Sequence, residues 1–208
     1  MKCFAKLVIA ASLVLAPVAA QATQWSFSLA GKGGAGLLPG NENHTPTGVT
    51  GSGGELGSGI LFDDVTNVLS VHVGWGSANG FTDLTGNASA AHIHWSGLNN
   101  PTNAAIVGDA AFLTSGGVIV ALDTVAFNYN NSASAGLING STILSDLHET
   151  ALFNGQLYIN VHTAPTNAGG EIRGNITGAT AIPEPSSFAA LAGLAGLALA
   201  GTRRRRAA

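Results

Sequence analysis

The chain has 208 residues, of which 29 are glycine and 9% are charged, and its formal charge is −3. That length suits one domain of ordinary size, and the abundance of Gly, Asn, Ser and Thr excludes a protein of long helices in favour of short strands joined by turns. Residues 23–182 hold only Lys32 and Arg173 against ten acidic residues, a net charge of −8, which excludes attraction to nucleic-acid phosphates or anionic lipid headgroups.

In chain order, residues 1–6 (MKCFAK) form a short basic start, residues 7–16 an apolar run, and Ala20-Gln21-Ala22 fits the small-x-small cleavage rule. A signal peptide over residues 1–22, cut after Ala22, is expected, since the apolar run is shorter than the roughly 20 residues of a spanning helix. The one cysteine, Cys3, falls in that leader, leaving the body without a disulfide. Residues 24–30 alternate Trp25, Phe27 and Leu29 with polar neighbours, which predicts an opening strand. Residues 31–57 read as a loop with His44 solvated in it; the GKGGAG run lacks the terminal Gly-Lys-Ser/Thr of a phosphate loop. Residues 59–62 and 68–75 predict a strand pair around a turn at 63–67, with Leu69, Val71, Val73 and Trp75 inward and His72 outward.

Residues 89–95 (SAAHIHW) put His92 and His94 on one strand face, with alpha carbons roughly 6.5 to 7 Å apart, chelating distance for two imidazoles. A loop is expected over 97–115, an apolar strand over 117–122, and alternation of Val125, Phe127 and Tyr129 over 124–129. Residues 142–153 carry Ile143, Leu144, Leu147 and Leu152 at helical spacings and predict the one short helix, with His148 facing solvent. No repeat of fixed period is present, which excludes a solenoid or propeller.

Residues 157–163 alternate Leu157, Ile159 and Val161 with Tyr158, Asn160 and His162, so His162 points away from the aliphatic core. A turn at 164–170 leads to residues 171–176, with Ile172 and Ile176 on one face; the two segments predict a hairpin. On its second strand Glu171 and Arg173 share a face and are expected to form a structural ion pair, with a buried carboxylate as the alternative partner of Arg173. His92, His94 and His162 support two readings. Three neutral imidazoles suit copper or zinc with an open fourth position, whereas the same rings can bond backbone carbonyls and Glu171 as a purely structural polar cluster. No G-x-S-x-G, HExxH or EF-hand pattern occurs, so no catalytic residue is assigned and a non-enzymatic protein is expected.

At the C-terminus, Pro183-Glu184-Pro185 precedes an apolar segment at 188–201 and the cluster Arg203, Arg204, Arg205 and Arg206, in the orientation of a positive-inside stop. This tail resembles the PEP-CTERM sorting signal of Gram-negative bacteria. The resemblance implies passage through the secretion machinery, a transient inner-membrane anchor through the apolar helix, and processing by an exosortase-type protease. It further implies delivery to the cell surface or extracellular matrix, with exopolysaccharide or matrix components as partners.

Ala91-His-Ile-His94, then residues 157–163 (LYINVHT) and 169–174 (GGEIRG), resemble the chordin-type (CHRD) domain, with Trp95-Ser-Gly departing from its usual turn. The resemblance implies an all-β, immunoglobulin-like antiparallel β-sandwich of Greek-key type, extracellular and without established catalytic activity. The organisation is then a signal peptide at 1–22, a CHRD-like domain at 23–181 and the sorting signal at 182–208. A weaker similarity, to copper-zinc superoxide dismutase, implies His92, His94 and His162 as copper ligands. The zinc-loop histidines and the disulfide of that family are absent from this sequence, and Glu171 stands where its active-site arginine would align.

Overall fold

Alternating apolar and polar residues dominate the chain over residues 24–96 and 117–183, the part that the computed structural model describes. These residues form ten strands in one antiparallel sheet: β1 (Gln24–Gly31), β2 (Gly34–Ala35), β3 (Gly53–Asp63), β4 (Val68–Trp75), β5 (Ala90–Trp95), β6 (Gly117–Ala121), β7 (Phe127–Asn130), β8 (Gly136–Ile143), β9 (Leu157–Thr163) and β10 (Asn167–Ile182). The order across the sheet is β6-β5-β9-β10-β1-β3-β4-β8-β7, with β2 paired to β1. Helix α1 (Asp146–Phe153) links β8 to β9. The expected leader with Ala20 and Ala22, the loop at 97–115, and the tail residues Glu184, Pro185, Arg203, Arg204, Arg205 and Arg206 lie outside the described residues.

Connectivity forces this sheet to curl. Its end strands β6 and β7 are joined by residues 122–126 alone, a link that reaches roughly 20 Å. Nine strands laid flat at about 4.8 Å spacing would hold the same ends roughly 38 Å apart. The curl encloses one core, in which Val71, Val73 and Trp75 of β4 join Ala91 and Ile93 of β5 and Ile159 and Val161 of β9. Each aliphatic side chain of Val, Leu or Ile size that is fully buried there stabilises the fold by about 1.5–3 kcal/mol.

The hairpin β9–β10 forms as the alternation predicts, with Val161 opposite Ile172 and Tyr158 opposite Asn175. The inward set Leu69, Val71, Val73 and Trp75 is fully buried. Four expectations change. β3 runs back to Gly53, so the tail of the glycine-rich stretch is strand, with a register irregularity between Glu55 and Ile60. Within the remainder of that stretch Asn41 is buried, accepting from Gly33 N at 2.7 Å and donating to Gly36 O at 3.0 Å, which ties the segment down. The helix begins at Asp146 because Ser145 caps it, accepting from His148 N, while residues 142–143 end β8. Finally, β7 starts at Phe127 after a turn closed by Phe127 N to Thr124 O, which leaves Val125 wholly exposed.

Candidate functional site

Strands β5, β9 and β10 lie side by side, and period 2 sorts their residues onto two faces. His92 and His94 come from β5 and His162 from β9; in the register, Ala90 sits opposite His162 and His94 opposite Tyr158. The three histidines converge, and one ring nitrogen from each lies within 4.8 Å of the others. His94 is buried and the other two are half-buried, so the group opens to solvent along one side.

The proton positions follow from the partners. His162 Nδ1 is 2.8 Å from Ala168 O, and a carbonyl only accepts, so Nδ1 carries the hydrogen and Nε2 the lone pair. His92 Nδ1 lies 3.1 Å from that Nε2 and donates to it. Burial holds the His162 pKa below its ordinary value, helped by neighbouring His92 and opposed by the Ala168 carbonyl and Asp123, which keeps the imidazole neutral. Nitrogens bound to one ion at 2.0–2.1 Å stand roughly 3.4 Å apart. A common ion would therefore need the rings to close from within 4.8 Å to about 3.4 Å, and it would replace the proton shared by His92 and His162. An all-imidazole set of this kind suits copper or zinc rather than calcium or magnesium.

Glu171 and Arg173 are both fully buried, and the bonds described for them run to other partners. The Glu171 carboxylate accepts from Thr85 N at 2.9 Å, from Thr85 Oγ1 at 2.6 Å and from Thr163 Oγ1. The Arg173 guanidinium lies over the Tyr158 ring, 3.5 Å from its centroid, and its Nε donates to Asn175 Oδ1 at 3.2 Å. The register shift between Asn167 and Ile172 breaks the alternation on which the expected pairing rested. Of the bonds that the structural-cluster reading expects, the one from His162 to a backbone carbonyl forms.

The carboxylate that acts on Arg173 is Glu42, in the segment that folds back over β10 after Leu38 pairs with Arg173. Glu42 is 1% exposed. Its pKa is pushed up to about 7, chiefly by burial and against the pull of Arg173, Asn160, the Asn43 amide and Lys32. Gly170, at φ 125°, leaves the room for this carboxyl, because a Cβ there would collide with Glu42 and Asn160.

Sequence reasoning missed Tyr158 and Glu42 as parts of this surface. The signal for Tyr158 was present, since the alternation that sends His162 outward sends Tyr158 and Asn160 with it. Glu42 had none, being one acid in an aperiodic stretch. His44, 3.9 Å from Glu42, and His148, against Trp95, stand outside the three-histidine group. Pro183 follows directly on β10.

Comparison with protein families gives two matches. The PEP-CTERM protein-sorting motif matches residues 181–206, which marks the chain as exported and processed by an exosortase. No curated protein matches the chain, and no solved structure does. Neither match is to a superoxide dismutase. The CHRD domain matches residues 34–176, spanning β2 to β10 and every residue of the histidine group, and the chain belongs to the CHRD domain family.

Proposed function

We propose that the domain works outside the cell as a non-enzymatic component of the cell surface or extracellular matrix, and that its curled sheet is an immunoglobulin-like Greek-key sandwich. The observation that carries the functional reading is the sorting motif at 181–206, directly after the domain. The sandwich reading is supported by the single core drawn from β4 on one arm of the sheet and β5 and β9 on the other. With a net charge of −8 over residues 23–182, the domain favours neutral or cationic matrix polymers over anionic ones. In the native host, deletion of residues 182–208 is expected to remove the protein from the surface and matrix fractions. Unchanged fractionation of the truncated chain overturns the assignment.

A second reading, a copper- or zinc-binding module, is favoured by the convergence of His92, His94 and His162. Purified full-length protein is expected to take up about one equivalent of copper or zinc and to gain thermal stability, with both effects lost in His92→Ala and His162→Ala. Binding that ignores both substitutions, or no stoichiometric binding, removes this reading.

A further inference from the structure

Each ring of the histidine group needs its plane fixed, because an imidazole lone pair lies in that plane and a rotated ring aims it away from the ion. For His162 the Ala168 carbonyl supplies the orientation, while the hydrogen bond that holds His92 to His162 would give way to the ion. His94 lies flat against Tyr158, with centroids 4.9 Å apart and planes 4° from parallel. Its planes with His92 and His162 are inclined by 78° and 46°.

Tyr158 is itself held. It is 3% exposed on β9, the strand between β5 and β10, and the Arg173 guanidinium sits over its ring. A buried guanidinium is costly to desolvate; here it gains a ring face, Asn175 and the field of Glu42. His94 from one neighbouring strand and Arg173 from the other thus clamp the ring.

We propose that Tyr158, clamped by Arg173, is the positioning residue of the three-histidine site, setting the plane of His94 so that it meets an ion together with His92 and His162. This role rests on the metal-binding reading above. The residues that hold a metal ligand in place commonly change its affinity by 10–100-fold.

The test titrates copper(II) and zinc into full-length wild type, Tyr158→Phe and Tyr158→Leu, against a competing chelator, with far-UV circular dichroism as the check on folding. Phe keeps the stacked ring and is expected to bind within about threefold of wild type, whereas Leu loses about 10–100-fold and alters the nitrogen hyperfine pattern of bound copper. Leu binding like wild type while folded overturns the positioning role and leaves the metal site standing. No binding by wild type removes the metal reading and this role with it. A second measurement serves if the Leu variant does not fold. The ring-current shift of the His94 protons, read by NMR in wild type with and without zinc, is expected to persist in the loaded protein, and its disappearance on loading overturns the proposal.

Discussion

The two faces of the β5–β9–β10 surface are made by the same strands, and away from His92 and His162 the outer one is buried nearly as deeply as the inner, yet they answer to different forces. On the inner face Ala91, Ile93, Ile159, Val161, Ile172 and Ile176 are all at 0% exposure. Their attraction is non-directional and scales with the area removed from water. On the outer face Tyr158, Asn160, Arg173 and Asn175 are at 3% or less. A polar group buried there loses its hydration, and only partners of the right geometry can offset that cost. The inner face should therefore respond to changes of volume, and the outer face to charge and pH.

Three substitutions separate the faces. Ile93→Ala opens a cavity in the inner face and is expected to cost about 2–5 kcal/mol, equally at pH 5 and pH 8, by urea unfolding. A cost that varies with pH would dissolve the distinction. Glu42→Gln probes the outer layer. The Glu42 pKa in the folded state, about 7, exceeds the ordinary 4.5, so folded protein keeps a proton that unfolded chain releases. The stability linked to this group is full below pH 4.5 and is lost as pH rises through 7, a fall of about 3 kcal/mol. Gln should abolish that fall, and an unaltered decline between pH 5 and 8 would show that Glu42 does not cause it. His162 runs the opposite way: its pKa is depressed, so its contribution is present above pH 6.5, is lost as pH falls through the folded value, and should survive in the Gln variant. The smallest effect is expected from Ile159→Val, about 0.5–1.5 kcal/mol, with no change in metal uptake although His162 and Tyr158 lie on the same strand.

How much of this was readable beforehand depended on the range of the interactions. Strands β5 and β9 announce themselves by alternation, and the same alternation puts His92, His94 and His162 on one side. β8 did not announce itself, because Gly136, Asn139, Gly140 and Ser141 dilute its apolar residues and only pairing with β4 along its whole length makes it a strand. The direction of Glu171 depends on a register shift that no periodicity encodes. Glu42 was hidden for another reason. Its burial arises from a glycine-rich segment held by Asn41, and its neighbours Asn160 and Arg173 are more than a hundred residues away in sequence.

The first and last strands of the domain close on each other, with Gln24 opposite Ile182. Strand β10, which starts beside His162 and ends at that closure, is 16 residues long, and its path from Ala168 to Ile182 covers roughly 45 Å. The sorting motif therefore begins at that closure, whereas the histidines sit back along the strand, from His162 beside Ala168 to His94 level with Asn175.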